Sequence, residues 1–221
     1  MFWPALAALP VLAVLLSLGQ WQMQRLAWKE ALLDRLAASA AAPAQPLPAV
    51  PEPYMKVAVV GRFDHSREAR LGAEVRGSQM GATLVTPLLR EVLPPLLVLR
   101  GWVPDDASGQ PARPEGVVTV EGYIRPGETR SWDSATDNPA TRRFYTFNPA
   151  AIAASLGMAG AEGFGLVALS SVFDSRLPVA ATHLPQPNNS HLGYALTWYG
   201  LALTLVGVVL AFTWRRWKES R

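Results

Sequence analysis

One histidine stands where a side chain could do chemistry at a membrane. His191 directly precedes Leu192 to Trp214, a 23-residue run without a charge, and only Ser190 separates it from Asn188-Asn189. An apolar run of that length crosses a bilayer as a helix, which puts the imidazole at the membrane–water boundary. Neutral imidazole is the usual proximal ligand of haem iron. At that depth the apolar macrocycle would stay in hydrocarbon while its carboxylates reached water. The other reading makes His191 a solvated cap near the helix start, with Tyr194 and Trp198 as interfacial belt residues. Spacing leaves both open.

At about 100° per residue, His191, Tyr194, Trp198, Ala202, Leu205 and Val209 share one side of that helix. Gly193, Thr197, Gly200, Thr204, Gly207 and Ala211 share the opposite side, alternately four and three apart. Small residues in this register let another helix approach closely, which is how helices associate in lipid. The small face is therefore read as a packing surface. Its partner is either the chain's own first helix or a helix of another membrane protein.

Other chemistry lacks its residues. There is no cysteine, which excludes disulfides, thiolate catalysis and copper–thiolate sites. His65 and His183 have no partner at metal-ligand spacing and read as surface or structural residues. Gly160–Gly165 is not followed by a helical pattern, so it is no phosphate loop, and no Gly-x-Ser-x-Gly elbow occurs. Asp105-Asp106, Asp133 and Asp137 read as turn residues. The expectation is a protein that is not an enzyme.

The elements around His191 follow from hydropathy and charge. Phe2 to Gly19 lacks Lys, Arg, Asp and Glu, has no basic leader, and has small residues only far downstream, so it reads as an uncleaved anchor helix. The chain has 20 basic and 17 acidic residues. Its last seven hold four basic and one acidic, leaving 16 of each before them. The excess is thus a positive-inside signal that predicts cytoplasmic termini, and it argues against nucleic acid as partner. Contact of Arg215, Arg216 and Lys218 with the lipid bilayer fits the same picture.

Trp21, Arg25, Trp28, Leu32, Leu33 and Leu36 continue the first helix as an amphipathic stalk, with Lys29, Glu30, Asp34 and Arg35 on its other face. Prolines 43, 46, 48, 51 and 53 make an extended linker. Strands are predicted at Met55–Phe63, Ala69–Glu74, Ala82–Leu89, Leu96–Trp102, Val117–Ile124, Arg143–Phe147 and Leu166–Phe173. One helix is predicted from Pro149 to Leu156, capped by Asn148 and ended by Gly157. A second proline-bounded stretch, Leu177 to Pro187, leads back to the membrane.

The fold class is a membrane protein with two transmembrane α-helices flanking one mainly antiparallel β (α+β) extracytoplasmic domain, for which barrel-like closure is one option. Its parts are 1–19, the first transmembrane helix; 20–38, the stalk; 39–190, the β-rich domain; 191–214, the second transmembrane helix; and 215–221, the basic tail.

Several short motifs in fixed order resemble the Surfeit locus protein 1 family, the cytochrome oxidase assembly factors. They are Leu18-Gly19-x-Trp21-Gln22-x-x-Arg25-x-x-Trp28-Lys29, Val59-Val60-Gly61-x-Phe63, Thr86-Pro87-Leu88, Arg100-Gly101-Trp102-Val103-Pro104, Val120-Glu121-Gly122 and Asn189-x-His191-Leu192-x-Tyr194-Ala195-x-Thr197-Trp198. The resemblance implies a bacterial inner-membrane protein with both termini cytoplasmic and a periplasmic central domain. It implies a role in building haem–copper terminal oxidases, with the oxidase catalytic subunit and other assembly factors as partners. It also implies binding of haem a, whose iron ligand is matched by His191, with Tyr194 and Trp198 as pocket walls. The competing class is a structural accessory subunit held to the oxidase by the small face, without essential haem binding.

For Arg100 and Trp102 two readings stand: contact with the oxidase or with haem propionates, or packing at a strand end. Leu99, where the family often has Asn, and Leu93-Pro94-Pro95, in place of a more polar turn, weigh against polar contacts there.

Overall fold

The computed structural model describes residues 3–106, 110–158, 160–169, 177–182 and 189–219. It holds three helices, α1 (Trp3–Ala41), α2 (Pro149–Ser155) and α3 (His191–Glu219). Two compact units divide the chain: Met1–Arg35 with Pro185–Arg221, and Leu36–Leu184. His183, the end of the last predicted strand (170–173) and residues 183–187 of the returning stretch lie outside the described residues.

In the terminal unit, α1 and α3 are both long and apolar enough to cross a membrane. The predicted anchor and stalk are one unbroken helix. Its 39 residues span about 58 Å, well beyond a hydrocarbon core of about 30 Å. The boundary at Gly19 is therefore a change of hydropathy and not of backbone.

The packed residues of α1 include Leu12, Leu15, Gly19, Gln22 and Leu26, and those of α3 include His191, Ala195, Trp198, Ala202, Leu205 and Val209, with Leu18 and Tyr199 half-buried beside them. Both sets alternate three and four apart, the register of a left-handed helix pair. Gly19 is needed for the approach: a Cβ there would lie 2.6 Å from the Tyr199 ring.

The structure bears on two helix faces read from the sequence. The small face of α3 does not meet α1. Gly193, Thr197, Gly200, Thr204, Gly207 and Ala211 are all exposed, and nothing lies within 4 Å of a Cβ built on the three glycines. The α1 stripe is bulky, leucines around one glycine, and it is matched by the side of α3 that carries Ala195 and Ala202. The second face is on α1. Trp21, Arg25 and Trp28 point outward, with the Arg25 guanidinium 5.7 and 5.8 Å from the two ring centroids. An aromatic stripe packs inward in water, but at a bilayer surface it finds its medium outside.

The middle unit is a closed barrel. Its strands are β1 (Gln45–Pro46), β2 (Lys56–Phe63), β3 (Ala69–Arg76), β4 (Gln79–Leu89), β5 (Leu96–Pro104), β6 (Val118–Pro126), β7 (Arg143–Phe144) and β8 (Phe164–Ala168). The order β2-β6-β8-β5-β4 closes where Arg62 and Phe63 of β2 pair with Leu89 and Leu88 of β4. Neighbours in this ring are antiparallel except β5 and β8. β3 and β7 continue the sheet beyond β4. The proline linker is not free of structure, because Gln45 and Pro46 pair in parallel with Val57 and Ala58. The strand predicted to reach Phe147 stops at Phe144.

Alternation along the strands builds two cores. Leu96 and Val98 point with Val57, Val59, Val120, Ile124 and Leu166 into the barrel. Leu97 and Leu99 point outward, under Phe147 and the Ile152, Ala153 and Leu156 face of α2. β5 is buried on both sides, so it reads as a continuous apolar run. α2 is capped as predicted: the Asn148 side chain accepts from the Ala151 amide at 3.0 Å. The end of α1 also belongs to this unit, with Leu36 buried and the Ser39 hydroxyl donating to the Tyr54 carbonyl at 3.0 Å.

Candidate functional site

His191 opens α3 and is half-buried against α1. Its Nδ1 lies 2.7 Å from Oε1 of Gln22, a residue 169 positions away and itself buried. An amide oxygen can only accept, so Nδ1 carries the proton and donates. In the neutral form of the ring, that arrangement keeps the lone pair on Nε2. Metal-bound histidines are held in this way, with the second nitrogen fixed by an acceptor that sets tautomer and ring orientation.

Two residues before the imidazole, Oδ1 of Asn189 is buried without a hydrogen-bond partner. An orphaned acceptor is costly, and a bound polar group would satisfy it. Trp198 lies on the same packed stripe as His191, two turns further on, and is half-buried. Tyr194 does not join them. It is 56% exposed, because Ala195 takes the position that faces α1. A groove of about 520 Å³ runs along the helix pair, lined by Leu16, Gln20, Trp21, Gln24 and Tyr199 with Ser17.

Among the described residues, no three His, Cys, Asp or Glu side chains gather as a metal cage. A metal held at His191 must therefore bring its other ligands with it, as the iron of a porphyrin does. The residues present fit such a group: one imidazole with a free Nε2, an oriented ring, an unmet acceptor and an aromatic neighbour.

Arg100 and Trp102 are buried, which favours packing among the two readings left open for them over contact with a partner. Arg100 is fully buried on β5. Its Nη2 donates to the Ala112 carbonyl, Nη1 lies 3.5 Å from Glu68, and the guanidinium stacks 4.9 Å from the Phe63 ring centroid. Burial pushes its pKa below the ordinary value; Glu68 opposes that and Arg113 adds to it. Trp102 donates Nε1–H to the Glu74 carbonyl at 3.1 Å, and its amide pairs with Val179. Gly101 between them has φ +132°, and a Cβ there would run into the Val179 backbone. The motif locks the segment at 177–182 onto the barrel.

His65 is likewise structural. Its Nε2 is 3.0 Å from the Pro114 carbonyl and its Nδ1 is 3.4 Å from Glu68. Sequence reasoning missed Gln22. The only available signal was its place in the Trp21-Gln22 motif at the exit of the first helix.

The chain is similar to known proteins over nearly its whole length. The model of the SURF1 family matches residues 9–203. A SURF1-like protein of Rickettsia conorii is 32% identical over 216 residues, covering 90% of this chain and 86% of that one. A SURF1-like protein of Rickettsia felis is 30% identical over 224 residues, covering 94% and 95%. Surfeit locus protein 1 of Homo sapiens is 33% identical over 225 residues, covering 89% and 72%. With a family match that runs from α1 through the barrel into the first part of α3, the chain belongs to the SURF1 family.

Proposed function

We propose that this protein is a bacterial inner-membrane assembly factor for a haem–copper terminal oxidase, which holds haem a on His191 and hands it to the catalytic subunit. The observation that carries the haem reading is the His191–Gln22 pair, which leaves Nε2 as the open nitrogen of an oriented ring at the head of a spanning helix. When bound, haem supplies the redox-active iron that the oxidase needs, and here it is cargo. The chain's own residues have simpler work. His191 binds, Gln22 fixes the ring, Trp198 gives an apolar wall, and Asn189 offers an acceptor. The basic tail supports cytoplasmic termini and a periplasmic barrel.

The open small face of α3 favours a second component of the same role, docking on a helix of the oxidase. It alone would serve an accessory subunit without haem. An absorption spectrum of the detergent-purified protein, co-expressed with haem a synthesis, separates the two. A haem signal present in wild type and lost in His191→Ala supports the carrier. No haem in either favours the scaffold, and equal haem in both means that His191 is not the ligand.

A further inference from the structure

Outside the helix pair, one cluster on the barrel holds more basic than acidic side chains among the described residues. A cleft of about 230 Å³ is lined by Arg70 of β3, Arg113 of the β5–β6 connection, and Arg142, which follows a 3-10 turn (Pro139–Thr141). Glu68 is the carboxylate in its lining, and it is shared. It lies 3.5 Å from the buried Arg100, 3.4 Å from Arg113, and also accepts from Thr86. Asp105 at the rim is shared too, 2.7 Å from Arg70 and 2.6 Å from Arg143. Among the described residues, five guanidinium groups thus gather around two carboxylates, or three with the neighbouring Asp106 counted. The part of the chain between residues 20 and 190 is balanced in charge, so an excess of at least two here is a local feature.

Arg142 adds an independent observation. Its backbone is left-handed, with φ 54°, a conformation that glycine adopts freely and arginine does not. The backbone is pinned on both sides: its amide donates to the Pro139 carbonyl at 3.2 Å and its carbonyl accepts from the Arg70 amide at 2.9 Å. The side chain makes one 3.3 Å bond to the neutral Ser66 carbonyl. A strained position that keeps an arginine so lightly engaged is explained by a partner for the guanidinium.

We propose that this cleft binds a phosphate-type dianion, either free or as the phosphate of a lipid headgroup. Forked guanidinium donors suit tetrahedral oxyanions, and a dianion cancels the excess charge.

The test is calorimetric titration of the full chain, in nanodiscs of zwitterionic lipid at fixed ionic strength, with inorganic phosphate and with a short-chain phosphatidic acid. Saturable binding of either is expected. Phosphate binding would assign a free anion, and binding of the lipid alone would assign a headgroup. Arg142→Gly, which relieves the backbone and removes the guanidinium, should weaken binding by roughly tenfold or more while preserving the fold. Arg113→Gln, at an exposed position, should weaken it severalfold, and Arg62→Gln on another part of the barrel should not. The proposal is overturned if neither ligand saturates, or if Arg142→Gly and Arg113→Gln bind as wild type does.

Discussion

Replacing Gln22 by leucine should leave the helix pair intact and spoil the ligand. The two side chains are similar in size, and Gln22 is 8% exposed in an otherwise apolar stripe of Leu12, Leu15, Gly19 and Leu26. Leucine fits such a stripe, and losing one neutral hydrogen bond costs only about 0.5–1.5 kcal/mol. The half-buried His191 Nδ1–H can turn to water. What goes is the constraint on the ring: without the amide acceptor at 2.7 Å, nothing in α1 holds the proton on Nδ1. Removing such an acceptor from a metal-bound histidine typically lowers metal affinity by about 10–100-fold, or about 1.4–2.8 kcal/mol.

The assay pairs two readouts on Gln22→Leu and on Gln22→Glu, which keeps an acceptor. Haem occupancy is titrated by absorption, and the histidine tautomer is read from ¹⁵N shifts of the haem-free protein. Leucine should lower occupancy at limiting haem and mix the tautomers. Glutamate should restore the Nδ1–H form. If Gln22→Leu binds haem as wild type does while His191→Ala does not, the amide has no part in orienting the ligand and the reasoning fails. A wild type without haem but with a single Nδ1–H tautomer would instead refute the carrier role and leave the geometry standing.

Gly101→Ala should destabilise the barrel by about 3 kcal/mol or more, because a Cβ at φ +132° meets the Val179 backbone; a shift in denaturant midpoint under 0.5 kcal/mol would contradict it. The hydrogen bond from Arg143, with a further contribution from Arg70, holds the Asp105 carboxyl below its ordinary 3.8 despite partial burial. A depressed folded value gives stability that is complete above the ordinary pKa and is lost as pH falls through the folded one. Asp105→Asn should therefore be less stable than wild type by a constant amount from pH 6 down to about 4, and the gap should close only as pH falls below 3.8 and through the lowered value; a gap that begins to close well above pH 4 would count against the assignment. Isoleucine at Gly200 and Gly207 meets open space, so helix pairing should survive while co-purification with the oxidase falls; unchanged recovery of the oxidase would remove the small face from docking.

How much of this was legible in the sequence depended on the range of the forces involved. The α2 helix was readable because its signals are local: Asn148 caps, Pro149 begins and Gly157, with φ +67°, ends it. The same Asn-Pro signal at Asn138-Pro139 marks only a three-residue 3-10 turn, too short for any periodicity to show. Alternation gave the strands, since β2 and β3 each have one face on a core, but it could not say that β2 and β4 close the ring through two residue pairs.

The helix pair exposes a different limit. Ranking the faces of α1 by aromaticity singles out Trp21, Arg25 and Trp28, and ranking those of α3 by small size singles out the Gly193 to Ala211 stripe, yet neither stripe meets the other helix. That ranking holds where water is the alternative environment. In a bilayer the lipid competes for apolar surface, so burial inside the protein goes to what fits closely or needs a polar partner. Gly19 against Tyr199 is the first case and Gln22 against His191 the second. A glutamine on a membrane-facing helix reads as surface until its acceptor oxygen is found on an imidazole from the far end of the chain. The residue that the site needs most after His191 is thus the one whose type, taken alone, points away from it.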